Sequence, residues 1–298
     1  MSAFDAVNLD QLPAPQVLEA LDYEAILQEL LDDLAARFPE FDALVESEPG
    51  VKLAEVVAFH ALQLRARVND AAKSLLLAFA AGSDLDHLAA NFSIARQVVT
   101  PADPVAVPPV PAVLEDDTAL RRRVQLALEA ATAAGTAGRY LFYSLSADGR
   151  VADAAITSPL PGDVLATVLS TEGDGTPDAA LLQTVETALT DPEIRQLNDT
   201  ILVAAATIIP FAIEATLFFK RGAAAEVAFN TATANLDRLL AEPARMGRDV
   251  RRSEIHAALH IEGVSRVDLI QPAADVVIAP TEAASVTTVT LTDGGLYE

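Results

Sequence analysis

Apolar residues recur at helical spacing from the first turns of the chain. Leu18, Leu21, Ile26, Leu30, Leu31 and Leu34 mark one face of a helix expected over 17–38, with Pro39 unable to continue it. Ahead of it, Pro13 and Pro15 predict an extended arm over 1–15. After the turn Glu46-Ser47-Glu48-Pro49-Gly50, the spacing predicts a longer helix over 51–81. Leu53, Val56, Val57, Leu64, Val68, Ala71, Leu75, Leu76 and Phe79 lie three, four or seven apart, and Glu55, Arg65, Arg67, Asp70 and Lys73 take other faces. Gly82 fits the stop of that helix, and Ser83 or Asp84 is placed to cap a short helix through Leu88 and Phe92. So long a stripe on one helix needs a surface to bury it. Leu53, Val57, Leu64, Val68, Leu75 and Phe79 are therefore the candidate partner-interface residues.

The proline-dense run T-P-A-D-P-V-A-V-P-P-V-P, within 100–114, favours polyproline II and reads as a stiff spacer, with a ligand for an aromatic groove as the alternative. Beyond it the period alternates between helix and strand. An acidic start, Glu115-Asp116-Asp117, leads into a helix over 118–133 and then a short helix over 139–146. Strands follow at 151–157 and 163–170, and a helix to Leu189 takes Thr176 as N-cap and Pro177 as its first residue. A strand over 200–207 closes that section. The most apolar stretch, Thr200 to Phe219, holds Pro210 and Glu214 and is too short between them to cross a bilayer. Phe211, Ile213, Ala215, Leu217 and Phe219 alternate with Ala212, Glu214 and Thr216, which means a strand. A helix over 223–240, a short one over 253–260 and strands at 264–270, 276–278 and 286–291 complete the pattern. The fold class predicted is α+β: an N-terminal helical bundle segment (1–99), the proline-rich linker (100–114), and two small α+β sandwich domains with mixed or antiparallel sheets (115–209 and 210–298).

Composition narrows the function. A net charge of −23 repels nucleic acid phosphate and keeps copies of the chain apart. With no cysteine, disulfides, thiolate zinc sites and cysteine nucleophiles are excluded. His256 and His260 have the spacing of two zinc ligands, but H-A-A-L-H lacks the general-base Glu and any evident third ligand. The turn at Glu172–Asp178 lacks calcium-loop spacing. No G-x-S-x-G, P-loop or dinucleotide fingerprint occurs, and acidic pairs are too common to single out a hydrolytic one. No catalytic residue, cofactor, metal, nucleic acid or membrane insertion is expected. Two basic runs, Arg121-Arg122-Arg123 and Arg248, Arg251, Arg252, suit local pairing such as Asp117 with Arg121, or an acidic partner.

Motifs spread along the chain add a family. L-P-A-P-Q-V-L-E-A-L-D-Y-E (12–24), E-S-E-P-G-V-K-L-A-E (46–55), R-A-R-V-N-D-A-A-K (65–73), A-G-S-D-L-D-H-L-A (81–89), F-Y-S-L-S-A-D-G-R-V-A-D-A (142–154), P-G-D-V-L-A-T-V-L-S (161–170) and M-G-R-D-V-R-R-S-E-I-H-A-A-L-H (246–260) occur in that order. Together they resemble the baseplate J-like family of contractile-tailed temperate phages. The resemblance implies a non-enzymatic wedge subunit of the virion tail baseplate, assembled in the host cytoplasm. Two copies would join one tail protein I type chain through an N-terminal helical bundle. C-terminal domains would pair around the hub and spike, and a small lysozyme-fold-like wedge protein would attach the wedge. A subunit of a tailocin or other contractile injection system shares the resemblance, and a tail-associated cell-wall hydrolase module is the rival of another class.

Overall fold

The computed structural model describes residues 9, 12, 13, 15, 17–38, 48–132, 135–221, 224–241 and 244–297. The extended arm, Pro39 and the start of the Glu-Ser-Glu-Pro-Gly turn fall largely or wholly outside them. Two compact units divide between Ala95 and Arg96.

The smaller unit is helical: α1 (Tyr23–Arg37), α2 (Pro49–Ser74) and α3 (Gly82–Ala90). Helix α1 begins later than its apolar spacing predicts. Asp22 has extended backbone angles, and its carboxylate accepts the Ala25 N–H, so the cap and not the stripe sets the start. Helix α2 stops at Ser74, short of the predicted Ala81. There the ladder gives way to three-residue turns, with Leu76 N–H donating to Lys73 O and Phe79 N–H to Leu76 O. The N-cap of α3 is Ala81, ahead of the Ser83 or Asp84 expected in that role, and Gly82 has φ +54°.

In the larger unit β1 (Val98–Thr100) and β2 (Val113–Leu114) pair antiparallel, and Asp103 bridges Val110 beyond them. Residues 98–114 are thus a two-stranded finger, which corrects the polyproline II spacer: cross-strand pairing satisfies backbone groups that an isolated spacer would leave to water. Next come α4 (Asp117–Ala130), α5 (Ala137–Ala147), β3 (Val151–Thr157), β4 (Asp163–Ser170), α6 (Ala179–Leu189) and β5 (Thr200–Ala205). Strand β4 pairs antiparallel with β3 and parallel with β5. Leu126, Tyr140, Leu145, Val168, Leu181 and Val185 form the core beneath the helices. The N-cap of α6 is Asp178, whose carboxylate accepts the Leu181 N–H at 2.6 Å, in place of the predicted Thr176.

The second sheet runs β7-β6-β8, built from β6 (Thr207–Phe219), β7 (Val264–Gln271) and β8 (Glu282–Leu296), with α7 (Ala225–Leu240) and α8 (Arg252–Leu259) alongside. The alternation is realised: Ile213, Ala215, Leu217 and Phe219 are buried against Ala232, Leu236, Ile255 and Leu259. Two expected C-terminal strands change. Val276 makes only an isolated bridge with Val250, and the last strand extends over Glu282–Leu296, parallel to β6. The two α+β sections do not separate as compact units. Strand β5 passes into β6 through buried Ala206, which shares a small core with Leu169 and Ala283.

Candidate assembly surface

Helix α2 has 26 residues, about 39 Å of α-helix at 1.5 Å per residue. Its buried positions are Val51, Ala54, Ala58 and Asn69, so small residues carry the inward face. Asn69 closes the contact with the segment before α1. Its Oδ1 accepts the Glu19 N–H at 2.9 Å and its Nδ2 donates to Glu19 O at 2.8 Å. Arg65 stands one turn earlier, 3.0 Å from the Glu19 carboxylate and 3.6 Å from that of Glu29. These two polar residues fix which face of α2 turns inward. Sequence reasoning put Arg65 off the apolar stripe and assigned Asn69 no role, because a polar residue on a helix gives no sign of a buried partner distant in sequence.

The apolar stripe is the other face. Leu53 is 67% exposed, Val57 45%, Leu64 65% and Val68 50%. At about 100° per residue these four fall within an arc of about 60°, centred about 110° from the buried positions. Leu75 and Phe79, the remaining candidates, lie beyond the end of α2, Leu75 as its C-cap, and both are exposed. Val57, Ala61, Leu64, Val68, Ala71 and Leu75 alternate spacings of four and three, the repeat of a coiled-coil seam. Such a seam buries leucine and valine between helices, each worth about 1.5–3 kcal/mol when fully covered.

The candidate chemistry elsewhere resolves into structure. Arg123 is buried against Glu115, Arg122 meets Asp153 at 2.7 Å, and Asp117 receives Arg96 at 2.7 Å. The His256 and His260 rings stack with centroids 5.7 Å apart. No group of three metal-capable side chains occurs among the described residues. Tyr140 Oη donates to Asp199 Oδ2 at 2.5 Å. Burial, with the carboxylate beside it, pushes that phenol above the usual tyrosine range. Among the described residues no helix is long and apolar enough to cross a membrane.

Comparison with known proteins places this geometry. The baseplate J-like N-terminal domain matches residues 46–103, and the baseplate J-like protein C-terminal domain matches 211–292. Over 299 residues the chain is 43% identical to baseplate protein J of Escherichia phage P2, covering 98% of this chain and 99% of that protein. The chain belongs to the baseplate J-like family. It is a structural subunit of a contractile phage tail baseplate, and its setting is an assembly with other baseplate components. The N-terminal family segment spans α2, α3 and the first strand of the finger. The C-terminal one spans most of β6 through most of β8.

Proposed function

We propose that this baseplate J-like chain is a wedge subunit whose α2 seam is buried by other wedge proteins. The carrying observation is that seam: Leu53, Val57, Leu64 and Val68 share one face of a long helix and are 45–67% exposed, while a different face of the same helix holds the chain's own contacts. The partners are helices of a second copy and of a tail protein I type chain, packed as a bundle. In this reading residues 1–99 are the bundle segment, and 210–298 supply contacts between neighbouring wedges around the hub and spike. A small lysozyme-fold-like wedge protein completes the attachment. The role is mechanical and non-enzymatic: the wedge holds the extended tail, and triggering shifts it between two packings that differ by a few kcal/mol.

Deleting residues 1–95, which contain the smaller unit, tests the bundle. Co-expressed with the tail protein I type chain, the full chain is expected to co-purify with it. The remaining α+β unit should fold and stay alone. Undiminished complex formation without the helices would rule out the assignment.

A further inference from the structure

The charge along α2 runs against that of the chain. Overall, 43 acidic residues stand against 20 basic ones. From Val56 to Leu75 the acids reduce to Asp70, against Arg65, Arg67 and Lys73. At about 100° per residue, Asp70 lies about 130° from the centre of the seam, and Glu55 and Lys73 about 170°. The half of α2 that carries the seam therefore has no carboxylate. Its charged residues are Arg65 on one flank, about 90° from the centre, and Arg67 on the other, about 70° away. His60 stands one heptad before Arg67 on the same flank.

The two flanks differ in what they already hold. Arg65 lies beside α1, where the carboxylates of Glu19 and Glu29 are 3.0 and 3.6 Å away. Arg67 is exposed and, among the described residues, has neither a carboxylate nor a hydrogen-bond partner. His60 is exposed as well, with the Phe59 ring as its neighbour. One flank of the seam thus takes two acids from within the molecule, and the other takes none.

We infer that the seam is filled by a helix of a different polypeptide whose apolar stripe is flanked by carboxylates, one of them paired with Arg67. The inference rests on the wedge reading and narrows it, because a second copy of this chain is not the occupant. Charges beside a coiled-coil seam set which helix pairs there. A second α2 cannot supply the carboxylate in any register or direction. That half of the helix has no acid, and Glu19 and Glu29 beside it are engaged with Arg65. Helix α1 has Glu24, Glu29, Asp32 and Asp33, but it is packed on its own α2. A rim ion pair contributes little by itself. Its effect is discrimination, since the acidic-flanked helix gains an attraction that α2 of a neighbouring copy lacks.

The tail protein I type chain encoded by the same phage is the probe. Full-length wild-type, Arg67→Lys and Arg67→Glu chains are titrated with it by calorimetry. Arg67→Lys should bind within about threefold of the wild type, and Arg67→Glu about tenfold or more weakly. Tm should not change, since Arg67 is exposed and has no partner to lose. Replacing acidic residues in the probe's helices by Arg, one at a time, should find a position that restores binding to the Arg67→Glu chain. Equal affinity of the Arg67→Glu chain, or no restoring position, would overturn the inference and leave the wedge reading standing. So would a dimer of the chain alone that Arg67→Glu dissociates in sedimentation, because a second copy would then occupy the seam. A wild-type chain that does not bind the probe would instead refute the wedge reading itself.

Discussion

Arg123 and Glu115 meet in a buried two-pronged ion pair, Nη2 to Oε2 at 2.6 Å and Nε to Oε1 at 3.1 Å, with their side chains 7% and 4% exposed. The same Glu115 Oε2 accepts the Gln97 N–H, so one carboxylate ties α4 to the base of the finger. Removing one partner leaves a buried charge without compensation. Glu115→Gln or Arg123→Met is expected to lower stability by about 3–5 kcal/mol in urea unfolding. The double variant Glu115→Leu/Arg123→Met should recover a large part of that loss, because replacing both ions removes the unpaired charge. A double variant as unstable as the worse single one would contradict this account.

Asn69 makes two hydrogen bonds to the Glu19 backbone across fifty positions of sequence. Asn69→Ala should cost about 1–3 kcal/mol, from buried polar groups left without partners. Limited proteolysis should then cut near Leu18–Leu21 sooner than in the wild type. Unchanged protection would mean that the apolar contacts of α1 suffice.

Tyr140 gives a pH dependence with a definite sign. Burial and the hydrogen bond to Asp199 raise the phenol's pKa in the folded state. The resulting stability is fully present below the unfolded value of about 10 and is lost as pH rises through the raised folded one. Thermal unfolding followed from pH 8 to 11 should show a fall in the wild type at the alkaline end. That component should be absent in Tyr140→Phe, which should be less stable near neutrality because the Asp199 hydrogen bond is gone. Parallel curves for the two proteins would refute the linkage.

Gly149 should not tolerate a side chain. A Cβ there would lie 2.7 Å from Val98 O and 3.2 Å from Val99 N, both backbone atoms. Gly149→Ala must push the finger's base away, at a cost of about 1–3 kcal/mol. The matching readout is faster amide exchange over Val98–Thr100.

Much of this was legible because period and burial agree. The strands Val151–Thr157 and Asp163–Ser170 fall at the expected bounds, and β6 buries Ile213, Ala215, Leu217 and Phe219 on the side of the strand that the alternation marks as apolar. The end of α2 was not legible: Leu75, Leu76 and Phe79 keep the helical spacing while the hydrogen bonds have already changed to turns. The finger was hidden because prolines signal polyproline II, and only Asp103 just ahead of Pro104 and Val105 hinted at a turn. At the candidate surface the stripe could be read as apolar. Which face the chain itself covers depended on Asn69, whose partner lies too far away in sequence to be inferred.

The central claim is that α2 carries a seam made for other chains. Leu64→Lys with Val68→Lys tests it most directly, because both side chains are at least half exposed in the free subunit. Such surface substitutions usually alter stability by no more than about 0.5 kcal/mol each. The purified variant should keep the wild-type Tm and helical content. Introduced into the producing phage, it should give lysates in which electron microscopy finds no complete baseplates and the subunit remains free on a gradient. Normal tails containing the doubly substituted chain would contradict the account.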